Sequence, residues 1–317
     1  LDGVQVLDTL ADAVSQAGRG ISVQDSTLEA TDCLVQGNRG HGLFVDGSNT
    51  TLQGVQVLDT RRDTVSTAAL GIGAQSESTV VATDLYVQNT DGPALYVVTE
   101  TLLRCTGCTL IDNAFAGAVV QGGGELVLED SLIEGTMPGS SAGAGLGVYI
   151  SDFGLEYGYD APSLILLDST IRDNEMGAVY IKGSGTYQVT GNELSGGPGL
   201  DVAPGMWVHG DAVFVTAGDE ASKAWDEEEQ VGLLLQDNTF SNSTGAGVFL
   251  DGASATLSGN TYEDNSTDLF RQACGEADAP EGLDDEPLDT TSLCPDHDYL
   301  TQELRLTTDL FESEAEL

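Results

Sequence analysis

Residues 1–9 read LDGVQVLDT, and residues 52–60 read LQGVQVLDT. Two near-copies establish a repeat, and its anchor is plain: Asp or Gly, two residues, an apolar residue, then Asp, Asn or Gly two or three positions on. The anchor recurs ten times, with Val6, Val35, Val57, Val87, Ile111, Ile133, Ile171, Leu194, Phe240 and Tyr262 as its apolar members. The spacing is close to 22 residues wherever nothing is inserted, as from Val35 to Val57. Most anchors are followed by Gly and a β-rich run: GISV at Gly20, GLFV at Gly42, GAVV at Gly117, GVYI at Gly147, GAVY at Gly177 and GVFL at Gly247. Before the anchor lies an alternating strand, as at Leu126 and Leu128 or Leu164 and Leu166. Each unit therefore holds three short strands of period two, separated by turns.

A unit that small buries no apolar face alone, whereas stacked units share one core, with like positions about 4.8 Å apart. The sequence predicts an all-β fold, a single parallel β-helix of about ten coils, wound right-handed as parallel crossovers are. The ten anchor residues should project inward as one apolar column. Asn38, Asn89, Asn113, Asn174, Asn242 and Asn265 follow the anchors. Asparagine tolerates left-handed turns, and its amide can bond the next coil's asparagine.

Composition narrows the partners. There are 52 acidic against 10 basic residues, a formal charge of -42, and Lys182 and Lys223 are the two lysines. Such a field repels nucleic acid and anionic lipid. Forty glycines argue against a helical bundle, and no run approaches the roughly 20 apolar residues of a membrane span. The first residues carry no targeting signal and begin inside a repeat. A signal peptide, anchor or further coils upstream are therefore expected, with the β-helix truncated on that side.

The anchor, the Gly-led strands and the asparagine turns together resemble the right-handed parallel β-helix repeat proteins of bacterial surfaces, a group related in fold to pectate lyases. The resemblance covers residues 1–274. It implies an extracellular or cell-surface home and includes polysaccharide lyases, epimerases, tailspikes and adhesins, so fold alone does not choose an activity. Residues 275–317 lose the repeat and hold 14 acidic residues; they are expected to cap the open β-helix end.

Insertions single out one flank. The step from anchor to Gly strand is usually six or seven residues, but fourteen from Val6 to Gly20, Val57 to Gly71 and Ile133 to Gly147. Longer excursions follow at Ser151 to Pro162 and Ala203 to Gln230. On these loops stand the candidate binding residues. Arg61 and Arg62, beside Asp63, would grip a carboxylate or sulfate of a glycan, or else neutralise Asp8, Asp12 or Asp59. Tyr157, Tyr159, Trp207 and Trp225 would stack on sugar rings or pin their loops to the helix side.

The remaining chemistry is sparse. Cys105 and Cys108 form a lone CxxC suited to a local disulfide or to burial rather than zinc. Cys33 reads as a buried thiol. Cys274 and Cys294 should form a disulfide closing the tail loop. The loop YGYDAP at Tyr157 resembles part of the Tyr-Gly-Phe-Asp-Pro-His motif of mannuronan epimerases. Pro162 stands where that family has its catalytic histidine. His41, His209 and His297 are isolated in sequence. No EF-hand or nonapeptide array is present, and Ca²⁺ is the one cation that the acidic composition suggests. Two readings stand: a non-enzymatic adhesion, glycan-binding or structural module without a catalytic set or cofactor, or a Ca²⁺-assisted polysaccharide lyase or C5-epimerase.

Overall fold

The computed structural model describes residues 1–272 apart from 11–17, 63–68, 140–144, 154, 156, 157, 184, 198–205, 210–231, 245 and 252–254. Among the described residues there is no α-helix, and the strands form three parallel sheets of ten, ten and nine members. Each strand pairs with those three places before and after it, so each complete coil gives one strand to each sheet. The coil built from β4 (Leu34–Gln36), β5 (His41–Asp46) and β6 (Asn49–Gln53) is representative. Sheet 1 contains β4, sheet 2 contains β5 and sheet 3 contains β6. The chain is a parallel β-helix.

The inward row of sheet 1 runs Val6, Val35, Val57, Val87, Leu110, Ile133, Ile171, Leu194, Phe240 and Tyr262 in unbroken register. Nine of the expected anchors are in it, and Ile111 is not. Leu110 is fully buried, while Ile111 pairs with Gln88 and Glu134 on the outer face. The correction is one of register: Gly107 opens this unit and the third residue after it is Leu110. With side chains alternating every residue, a one-residue error exchanges core for solvent.

The Asp or Gly that opens each unit stands at the corner from sheet 3 to sheet 1. All ten, from Gly3 and Asp32 to Asp237 and Gly259, have left-handed φ between 45° and 72°, a region open to glycine and tolerated by aspartate. The two alternate along most of the stack because an aspartate in one coil lies over the glycine of the next. A Cβ on Gly54 would stand 2.6 Å from Asp32 Oδ1, and one on Gly259 would stand 2.0 Å from Asp237 Oδ1. Five of the 52 acidic residues are thus corner architecture.

Asparagine divides into two roles at the corner from sheet 1 to sheet 2. Asn38, Asn113 and Asn174 are buried, and each accepts from the backbone N–H of the coil before it: Thr9, Thr90 and Thr136 donate at 2.9 to 3.1 Å. Asn265 accepts from Ser243 in the same way. Asn89 and Asn242 lie one residue earlier at φ 60° and 55°. The ladder expected between asparagines is therefore an amide-to-backbone ladder here, because threonine or serine alternates with asparagine in this column.

The glycine before each sheet 2 strand is fixed by packing. A Cβ on Gly42 would lie 2.3 Å from Val57 Cγ1 of the next coil, and one on Gly147 2.2 Å from Ile171 Cγ2. Cys105 and Cys108 are bonded across the sheet 3 to sheet 1 corner with Cα atoms 5.9 Å apart, both buried. Cys33 is a free, buried thiol. Cys274, Cys294 and the expected cap at 275–317 lie outside the described residues.

Candidate functional site

Variation in chain length borders sheet 2. The corner from sheet 3 to sheet 1 is two residues long in every coil, such as Asp32–Cys33 and Gly191–Asn192. Residues 11–17, 63–68, 140–144 and 198–205 lie in connections that enter sheet 2, and 152–162 and 210–231 lie in connections that leave it. Sheet 2 alone has long connections on both edges.

Its outer face differs in kind from the other two. The central outward row runs Ser22, Phe44, Gly73, Tyr96, Val119, Tyr149 and Tyr180, and the same backbone register passes on through Trp207, Phe249 and Phe270. The chain has 2 Trp, 9 Tyr and 8 Phe, and seven of them stand in this one row. The corresponding outward row of sheet 3, which includes Glu29, Thr51, Val81, Arg104 and Gln188, contains none. Phe115, Val119, Leu146, Tyr149 and Tyr180 form a second buried apolar cluster outside the β-helix core. Tyr149 stacks on Tyr180 with centroids 5.7 Å apart and meets Phe115 edge-on at 5.8 Å. At 2% and 5% exposure, these tyrosines are an outer core rather than an open platform.

A polar row borders the aromatics. Tyr96 donates to Gln121 Oε1 at 3.2 Å, and Gln121 donates to Ser151 Oγ at 3.0 Å. Burial pushes the Tyr149 hydroxyl up to about 12, against the opposing pull of its Ser151 hydrogen bond. From Ser151 the same register position passes to Lys182, His209 and Asp251. Lys182 forms no ion pair among the described residues.

The sequence candidates distribute unevenly over this flank. Trp207 and His209 lie in β23 (Met206–His209), a full member of sheet 2. The segment from Ala203 to Gln230 is therefore not one insertion, and His209 is not isolated: its backbone partners are Lys182 and Asp251. Tyr159 is exposed, and its ring lies near Gly122, whose N–H donates to Phe153 O at 2.9 Å, so the 152–162 excursion rests on the turn of the preceding coil. Asp63, Tyr157 and Trp225 lie outside the described residues.

Arg61 and Arg62 are engaged. Arg61 donates to Asp91 Oδ1 at 3.0 Å, Asn89 Oδ1 at 3.2 Å and Asp59 Oδ1 at 3.5 Å. Arg62 donates through Nε to Asp91 O and through its backbone to Asp91 Oδ2, each at 3.1 Å. Hydrogen bonds from Gln36 and Asn89, with the Arg61 charge, hold the Asp59 carboxyl below its ordinary range against partial desolvation. Asp59 was foreseeable two residues from Arg61; Asp91 was not, because only stacking brings it near. The aromatic row had a visible signal, the aromatic two or three residues after Gly in GLFV, GVYI, GAVY and GVFL. It is overlooked when strands are read singly.

Among the described residues no group of three or more His, Cys, Asp or Glu is placed to hold a metal, and no helix is long and apolar enough to cross a membrane. Residues 9–156 match the family described as "Right handed beta helix region". With its stacked parallel sheets, the chain is a right-handed parallel β-helix protein. No curated protein matches it significantly. Among solved structures, the TibC-catalyzed hyper-glycosylated TibA55-350 fragment aligns over 87% of this chain and 97% of its own, at 14% identity and a TM-score of 0.22. That agreement is too loose to carry an argument.

Proposed function

We propose that this chain is a non-enzymatic extracellular or cell-surface β-helix module whose sheet 2 flank presents loops for binding, with glycans as the ligand class. One observation carries the reading: insertions gather on the two edges of a single sheet, whose outer face is a buried aromatic seat. A rigid scaffold that varies its loops in one place only is the arrangement of a binding surface. The bonded Cys105–Cys108 pair suits an oxidising compartment, and the acidic charge disfavours nucleic acid and anionic membranes. Exposed Tyr159 supplies a ring for sugar stacking, and Tyr157 and Trp225 are proposed on the same flank from sequence alone. The test is retention on a broad panel of immobilised neutral and acidic glycans. Wild-type binding that falls at least tenfold with Tyr159→Ala, at an unchanged melting midpoint, supports the reading; no binding to any glycan overturns it.

A specific observation favours the enzymatic alternative as a second reading. Lys182, His209 and Asp251 stand on adjacent coils at one register position, with their backbones at roughly 4.8 Å spacing. A lyase or epimerase acting on a uronate needs a base and a charge stabiliser of this kind. Incubation with polyuronates, with and without Ca²⁺, decides it. Ultraviolet absorbance from an unsaturated product, or a changed uronate epimer ratio, abolished by Lys182→Gln, establishes an enzyme.

A further inference from the structure

Four of the 10 basic residues, Arg19, Arg39, Arg61 and Arg62, fall in three successive connections from sheet 1 to sheet 2. Arg39 and Arg61 stand in backbone register on adjacent coils. The fold requires no cation there. The equivalent residues of the following coils are Asp91, Ala114, Met137 and Glu175, each tied to the column by the same backbone bond to the preceding coil.

The four arginines differ in what they have left to offer. Asp91, Asp59 and Asn89 occupy Arg61, and Asp91 occupies Arg62. Arg19 lies 3.6 Å over the Phe44 ring, the first aromatic of the outer row, and its buried Nε has no hydrogen-bond partner among the described residues. Arg39 is exposed and has no carboxylate partner among the described residues. Among the described residues its one side-chain hydrogen bond runs from Nη1 to Arg62 O at 3.1 Å. That bond orients the guanidinium and leaves Nε and Nη2 to donate. Like charges directly opposite on neighbouring strands are unfavourable. Asp59 and Asp91 already offset Arg61, and an oxyanion seated on Arg39 would offset the charge in register with it.

We propose that the Arg39 corner is an anion site that takes the carboxylate or sulfate of an acidic sugar, with Arg39 as the gripping residue. Arg61 and Arg62 form its fixed wall, and Arg19 stands on the aromatic side. The guanidinium fork offers two parallel N–H donors to such a group. The site opens at the end of the sheet 2 flank read above as glycan-binding, and the inference rests on that reading. It moves the anion grip from the arginine pair marked by the sequence to the one beside it, because Asp91 already holds that pair.

The experiment compares wild type, Arg39→Gln and Arg104→Gln, the last altering an exposed arginine on the outer face of sheet 3. Retention is measured at 0.15 M salt, about physiological ionic strength, on polygalacturonate, a sulfated glycan, their carboxyl-reduced and desulfated forms, and polyglutamate. The inference expects wild type to prefer the charged glycans over their neutralised forms. Arg39→Gln should lose at least tenfold on the charged glycans alone, and Arg104→Gln should bind as wild type does. The melting midpoint of Arg39→Gln should not move, which separates lost contact from lost fold. Equal retention by wild type and Arg39→Gln, or loss of the same size in Arg104→Gln, overturns the site. Binding to neutral and charged glycans alike sinks this inference and leaves the glycan-binding reading intact, whereas binding to no glycan removes that reading and this one with it. Arg39-dependent capture of polyglutamate as strong as that of the glycans overturns the sugar in favour of an acidic protein segment.

Discussion

The first and last five coils treat the same inner corner with opposite chemistry. The residue after each opening Asp or Gly is Val4, Cys33, Val55, Leu85 and Cys108 in the first half, then Ser131, Ser169, Asn192, Asn238 and Asn260 in the second. The apolar half packs into the core. The polar half forms a ladder: Cys108 N–H donates to Ser131 Oγ, Ser131 N–H to Ser169 Oγ, and Ser169 N–H to Asn192 Oδ1. Asn192 N–H and Asn238 N–H continue to Asn238 Oδ1 and Asn260 Oδ1, all at 2.8 to 3.1 Å. The asparagine amides also donate to Leu166 O, Val189 O and Leu235 O. A buried polar group is tolerated when each neighbour in the run completes it. The lesson is that the column is coded in runs, and a residue is right or wrong by what stands one coil away.

The largest effect should come from interrupting the polar run. Asn238→Val removes the acceptor for Asn192 N–H and Nδ2 and leaves Val189 O without its amide donor. At about 1–3 kcal/mol per buried group left unpaired, the expected loss is about 3 kcal/mol or more by urea titration. A loss under about 1 kcal/mol would mean the ladder is ornamental. The reverse exchange, Val55→Asn, sets an amide between Cys33, whose backbone N–H can donate to its oxygen, and Leu85, which has no side-chain acceptor for its N–H. It should cost about 1–3 kcal/mol. A neutral outcome would show that runs do not matter.

The smallest effect at neutral pH belongs to a link at the edge of the polar row, the Tyr149 hydroxyl on Ser151. Tyr149→Phe should cost about 1 kcal/mol there. Its sharper consequence is alkaline. The folded-state value is raised from the ordinary 10.0 to about 12, so the stability from the neutral phenol is fully present below pH 10 and lost as pH rises toward 12. Wild type should therefore lose stability over that window in pH-jump denaturation, while Tyr149→Phe loses less. Parallel curves for the two proteins would place the alkaline weakness elsewhere.

Much of this was legible because the repeat is written locally. The anchor rule, the left-handed Asp or Gly corners and the glycine before each sheet 2 strand all depend on residues within one unit. Ile111 was misplaced because Leu110 and Ile111 are both good strand residues, and only pairing against Val87 and Ile133 decides which faces in. Trp207 and His209 read as loop residues in the sequence because a four-residue strand between long insertions lacks the context that marks the others. The aromatic row was in the text all along, two or three residues after successive glycines, but it becomes a row only when coils are laid side by side.

Sequence by itself determined a parallel β-helix of stacked short-strand units, the flank that carries the insertions, and a strongly acidic overall charge. Each follows from local periodicity, turn chemistry or summed charge, which need no knowledge of contacts. The tertiary structure alone decided that Asp91 occupies Arg61 and Arg62, that Arg39 is left exposed beside them, and that Lys182, His209 and Asp251 share a line. The partners in those contacts come from neighbouring coils, tens of residues away in sequence. Which residues meet depends on the register accumulated through every insertion between them, and that register is fixed by backbone pairing across coils.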